Sequence, residues 1–164
     1  MNTKQISVQR FSVTSSKSFA KVIAAFEAGI GHPDMNAFHK DIGAAKTYAQ
    51  LETVVNKATG AAGLMEFYRF DFCEVVAKER GPQTPKSLRF LVGNPLIMKQ
   101  MTERSPDAGS YAPVTILIDE RPDGVHLSYD TMASFLAPYE NPEALKVAQD
   151  LDAKVEALLT KAAN

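Results

Sequence analysis

One cysteine, no tryptophan and three histidines occur in 164 residues, and each shortage removes a class of chemistry. The lone Cys73 excludes an intramolecular disulfide and fits a reducing compartment. Its chain neighbour is Glu74, so no adjacent base or cation activates the thiol, and an inert buried cysteine is the expectation. His32 and His39 are seven positions apart, which on one helix is about 10 Å and too far to share an ion. His126 sits between Val125 and Leu127 on a strand pattern and is expected to face water, so no metal site is assigned. Nothing approaches the roughly 20 apolar residues of a membrane span, and Met1 to Arg10 alternates without the apolar run of a signal peptide. A net charge of −1 supplies no field to recruit nucleic acid or an acidic membrane. No serine stands in a nucleophile elbow and no glycine-rich phosphate loop follows a strand, so hydrolase and nucleotide-binding readings gain nothing.

What is present is apolar residue in regular patterns. At 45% hydrophobic, the chain can bury one core, and residues 1–164 read as a single domain. Ile6, Val8, Phe11 and Val13 form a first strand whose parity switches, which a bulge near Gln9-Arg10 would repair. Ser15 or Ser16 then caps a helix with Phe19, Val22, Ile23, Phe26 and Ile30 on one stripe. Pro33–Gly60 is a helical excursion in two parts, with Met35, Phe38 and Ile42 on the first and Tyr48, Leu51, Val54 and Val55 on the second. From Leu64 to Cys73 both alternating sets are largely apolar, which predicts a central strand. Gly81-Pro82 opens a polar connection, and Leu88, Phe90 and Val92 mark the next strand. A helix from Pro95 to about Arg104 and a loop through Pro113 follow. Val114, Ile116 and Ile118 pair through the Arg121-Pro122-Asp123-Gly124 turn with Val125, Leu127 and Tyr129, Pro122 and Gly124 suiting a tight type I turn. Asn141-Pro142 starts a terminal helix whose stripe runs through Leu145, Ala148, Leu151 or Asp152, Val155 and Leu158. Antiparallel strands with segregated helices give an α+β class, an antiparallel sheet of about five strands with helices on one face.

The ordered set Gly63-Leu64, Phe67, Phe70-Asp71, Gly93-Asn94-Pro95, Pro106-Asp107-Ala108-Gly109, Pro113 and Arg121-Pro122-Asp123-Gly124 resembles the family called domain of unknown function 302. The likeness runs from about Gly63 to about Leu136. It implies a fold related to the TATA-box-binding protein, a bacterial source and a homodimer, and it implies no DNA binding; the cytoplasmic setting is expected from the lone cysteine and the missing signal pattern. Many relatives carry Asp-His where this chain has Asp71-Phe72, so any family chemistry resting on that histidine is lost here. The Pro33–Gly60 excursion reads as a departure from the family and a candidate interaction arm.

Four residues are candidates for a site. Asn94 can cap the helix that Pro95 opens, and the N–H groups there could hold an anion; the cap reading ranks first because Asn141-Pro142-Glu143 repeats the design. Gly93 precedes it. Asp71 is a carboxylate in an aromatic strand with Arg69 as its obvious partner, and Tyr129 could orient a substrate. Met98 and Met101, one turn apart, either line a pocket or belong to the core. The leading expectation is a non-enzymatic homodimer binding a small ligand or a protein. The alternative is an enzyme in which Asp71 is the base and Asn94 with its helix start holds an oxyanion. No cofactor is specified by any pattern.

Overall fold

In a computed structural model describing residues 3–164, strand and helix periodicities resolve into five strands and seven helices. Met1 and Asn2, the start of the Met1–Arg10 alternation, lie outside the described residues. The order is β1 (Arg10–Ser15), α1 (Phe19–Glu27), α2 (Met35–Ala44), α3 (Tyr48–Ala58), β2 (Met65–Asp71), α4 (Phe72–Arg80), β3 (Ser87–Gly93) and α5 (Pro95–Thr102). It continues with β4 (Val114–Arg121), β5 (Gly124–Asp130), α6 (Met132–Leu136) and α7 (Pro142–Ala163). The strands form one antiparallel sheet in the order β1-β5-β4-β3-β2. This is the α+β arrangement that the periodicities predict.

The helices cover one face. Phe90, Ile116, Ile118, Leu127 and Tyr129 point into them and meet Val22 and Phe26 of α1 and Leu151, Val155, Leu158 and Leu159 of α7. Phe26 and Phe90 sit ring against ring at 4.9 Å. The two-part excursion forms as expected and buries Phe38, Val55 and Met65 in a small cluster of its own. The β4–β5 hairpin closes over Pro122-Asp123, with Arg121 opposite Gly124. Gly124 has φ +139°, and a side chain there would meet the Ser15 carbonyl oxygen at 2.6 Å, so glycine is required twice over.

Several expectations are corrected. β1 pairs without a shift from Arg10 to Ser15, so no bulge lies at Gln9-Arg10, and Ile6 and Val8 are outside the strand. The N-cap position of α1 is Ser18, not Ser15 or Ser16, and its side chain makes no cap bond, while the Ser15 hydroxyl donates to the Ala163 carbonyl at the end of α7. The bulge sits instead in β2, where Phe67 is an extra residue between Glu66 and Tyr68. β2 is an outer strand and not a central one: its two apolar sets are a core set and an exposed aromatic set. The strand also ends at Asp71, and Phe72 and Cys73 start α4. Asp71 caps that helix by accepting from the Glu74 N–H at 3.2 Å, an Asp-x-x-Glu start that tertiary context leaves standing.

A single buried carboxylate fastens the long terminal helix. Asp152, 7% exposed, accepts from the Tyr129 hydroxyl at 2.6 Å and from the Met132 and Ala133 N–H groups at 2.7 and 3.0 Å. It thus joins α7 to the end of β5 and to the first turn of α6. Burial, with the Asp152 charge beside it, pushes the Tyr129 phenol well above its ordinary range, so the hydroxyl stays a donor. Asp152→Ala strands three donors in the interior and is expected to cost about 3 kcal/mol, a melting shift of roughly 6–12 °C. Tyr129→Phe removes one donor and is expected to cost about 1 kcal/mol. Urea unfolding of the two variants measures both; equal losses would show that the backbone contacts of Asp152 contribute nothing.

Candidate functional site

The site begins where β3 runs out. Gly93 ends the strand, Asn94 turns the chain in extended backbone, and Pro95 occupies the first helical position, where no N–H is needed. The Asn94 side chain is used twice: its Oδ1 accepts from the Leu96 N–H at 2.8 Å and its Nδ2 donates to the Gly63 carbonyl at 2.9 Å. It therefore pins the chain just before β2 to the start of α5. With Pro95 lacking a donor and the Leu96 donor taken, this helix start favours the cap over an anion.

Above this turn lies a cavity of about 260 Å³. Its walls are Phe67, Pro95, Ile97, Met98, Met101, Pro113, Val114 and Leu151, with Gly93, Asn94, Gly109 and Ala112 completing the lining. Met101 is buried and Met98 is 37% exposed, so the stripe serves as core at one turn and as cavity rim at the next. No lining side chain is ionisable, and Asn94, the one polar side chain, has its amide oxygen and nitrogen engaged. An added carbon at Gly93 would meet Phe67 and Pro113 at 3.4 and 3.5 Å, ordinary contact distances. The glycine thus leaves room in the cavity and is not forced by backbone strain.

Gly93 and Asn94 are the two candidates that the structure brings together. Asp71 is not with them. Met65 pairs with Gly93 and Asp71 with Leu88, at opposite ends of β2 and β3, on the order of 20 Å apart at about 3.3 Å per residue. Tyr129 is in the core at 1% exposure with its hydroxyl on Asp152, so it orients a helix and not a ligand. An acid–base site combining Asp71, Asn94 and Tyr129 is therefore not assembled.

Arg69 is not the partner of Asp71 either. It makes two bonds to Glu66, at 2.8 and 2.7 Å, and one to Glu27 at 2.7 Å, and lies over the Phe90 ring at 4.9 Å. Residues three apart on a regular strand face opposite ways; the extra Phe67 puts Glu66 and Arg69 on one face. The two Glu66 bonds hold the Arg69 guanidinium well above its usual range. Burial works to raise Glu66, yet the Arg69 bonds outweigh it and hold the carboxyl below its usual range. His126, expected to face water, is bridged to Asp123 at 2.8 Å, and Cys73 lies near the Thr84 carbonyl at 3.7 Å. Among the described residues no three His, Cys, Asp or Glu side chains gather as a ligand set.

The family model described as domain of unknown function DUF302 matches residues 41–162. This chain belongs to the DUF302 family. The matched span is wider than the Gly63–Leu136 likeness read from motifs, and it takes in α3. An uncharacterized conserved DUF302 protein from Bacillus stearothermophilus has a similar solved structure, with a TM-score of 0.65 over 93% of this chain and 97% of that one. At 11% identity that likeness speaks for the shared fold alone. A search of curated proteins finds no match.

Phe67 and Leu151, which sequence reasoning did not assign to a site, are walls of this cavity. The sequence signal for Phe67 is the parity conflict around Glu66 and Arg69; Leu151 carries none beyond its place on a helical stripe. Asn94→Ala removes both the cap and the Gly63 tie and is expected to destabilise by about 1–2 kcal/mol. Asp71→Ala removes one exposed cap bond and should cost less. Chemical denaturation of the pair decides; a larger loss at Asp71 would contradict this assignment.

Proposed function

We infer that the protein is a non-enzymatic binding module whose cavity takes a small, largely apolar ligand. The observation that carries this is the lining: apolar walls, two adaptable methionines at the helix, and no side chain able to exchange a proton. At about 260 Å³ the space suits a ligand at the small end of the usual range.

The homodimer belongs to the same reading. Past the Gly31–Met65 bridge, β2 has no second neighbouring strand among the described residues, so its outer edge has backbone groups free to pair. Tyr68, Phe70, Phe72, Val75 and Val76 lie exposed along this edge and α4, with Tyr68 and Phe70 in edge contact at 4.5 Å. An antiparallel edge is its own complement under a twofold axis, so a second copy fits both the strand and the apolar strip. No proline interrupts β2, and its Glu66 and Arg69 are spent on each other.

The cavity is tested with N-phenyl-1-naphthylamine, a neutral dye whose fluorescence rises in apolar surroundings. Met98→Glu sets a carboxylate at the rim on a helix-compatible residue and should weaken dye binding about tenfold or more. Gly93→Ala, which introduces ordinary contacts only, should weaken it several-fold at unchanged melting temperature. Dye binding indifferent to both changes would remove the cavity reading. The dimer is tested by sedimentation equilibrium, in which Phe70→Glu should convert dimer to monomer; a wild-type monomer would end that part of the proposal.

A further inference from the structure

The face of the sheet that the helices leave open holds a second feature. Two adjoining hollows there share Arg89, Thr115 and Asp130 as their floor. Tyr111 and Phe135, stacked at 4.7 Å with planes 9° apart, wall one, and Phe72 walls the other. By register, Arg89 stands on β3, next to the edge strand, with Phe70 opposite it on one side and Leu117 on the other.

Among the described residues Arg89 is a cation without a counterion. Its Nε is buried and has no hydrogen-bond partner, and its Nη2 reaches only the Thr115 hydroxyl, at 3.3 Å. No carboxylate of the described residues forms an ion pair with it. Asp130, the acid lining both hollows, is spent on Arg10, with bonds of 2.6 and 2.8 Å. Arg10, Arg69, Arg104 and Arg121 each hold a carboxylate, whereas Arg89, like the exposed Arg80, holds none among the described residues.

The geometry points to a binding site on this face for a small aromatic carboxylate. A guanidinium edge presents parallel N–H donors that match two coplanar oxygens, and the Nη1–Nη2 edge of Arg89 carries only the long Thr115 contact, while its buried Nε is left without a partner. With Arg10 and Asp130 neutralising each other, the hollow offers one positive charge, which suits a monoanion better than a phosphate dianion. The stacked Tyr111–Phe135 pair and Phe72 offer flat apolar walls to a ring. This site is separate from the apolar cavity, although the Ala112-Pro113-Val114 segment borders both. It goes beyond the proposed cavity ligand and does not depend on it, and it shares Phe72 with the strip proposed for the dimer.

The test is an NMR titration of the whole chain with benzoate, following the Arg89 Nε–H resonance and the amides of Leu91, Thr115 and Leu117. Saturable shifts confined to these groups are expected, with benzamide silent because it lacks the charge. Acetate and inorganic phosphate should bind about tenfold more weakly, the first for want of a ring and the second for want of a match to one cation. Arg89→Gln should weaken benzoate binding about tenfold or more, and Arg89→Lys, which keeps the charge without the planar fork, several-fold. Met98→Glu should leave benzoate binding unchanged, which separates failure here from failure of the cavity reading. Benzamide shifting the same resonances equally, phosphate binding as tightly as benzoate, or shifts centred on Phe67 and Ile97 would each overturn the assignment. Should Arg89→Gln fail to fold, the wild-type comparison of benzoate with benzamide decides alone.

Discussion

The carboxylate of Asp152 is the constraint on which the helical side of this fold rests. It sits on the 22-residue α7, which packs across α1, α5, β1 and β5 and is the largest single cover of the sheet. An amphipathic helix on an apolar sheet can slide or rotate at small cost, because hydrophobic contact has no direction. Three hydrogen bonds from Tyr129, Met132 and Ala133 supply that direction. They also offset the cost of burying the charge, which would otherwise disfavour the carboxylate in this position. Leu151, next along the helix, then stands as one wall of the cavity. The ion that orders the helix therefore also sets the shape of the site.

A second constraint is one residue long. The extra Phe67 in β2 changes which way every later side chain of the strand points. It turns Arg69 toward Glu66 and Glu27, and it leaves Tyr68 and Phe70 on the open face. Phe67 itself becomes part of the cavity wall. Without the bulge, the acid and the arginine would face opposite sides of the sheet and the aromatic residues would enter the core. Cavity, ion-pair cluster and exposed aromatic strip are thus consequences of a single insertion.

Most of the regular structure was legible in the sequence, because apolar spacing is a local signal. The stripe from Phe19 to Phe26, the two helices of the excursion, the Asn94-Pro95 and Asn141-Pro142 starts and the hairpin at Pro122-Asp123 appear as read, although α1 ends at Glu27, short of Ile30. Gly93 and Asn94 were legible as a turn into a helix, and the cavity is built on that turn. What was not legible depends on partners distant in the chain. Apolar residues on both sides of β2 suggest a central strand, and only the sheet order shows an edge with an exposed strip. Asp71 looked like a strand carboxylate because Phe72 and Cys73 continue its pattern, although the Asp71-x-x-Glu74 start and Gly81 at φ +82° mark a helix. Asp152 was hidden in a stripe whose register allowed Leu151 or Asp152, since a buried acid is recognisable only once its donors are known.

Belonging to the DUF302 family gives this chain a fold and no chemistry, so the site has to be argued from its walls. The central claim is that an apolar cavity in a self-paired molecule holds a small ligand. Native mass spectrometry of freshly purified, untreated protein reports both halves of that claim at once. The account predicts a dimeric ion carrying a discrete added mass that dissociates as a small neutral molecule on activation. A bare monomer under the same conditions would contradict it.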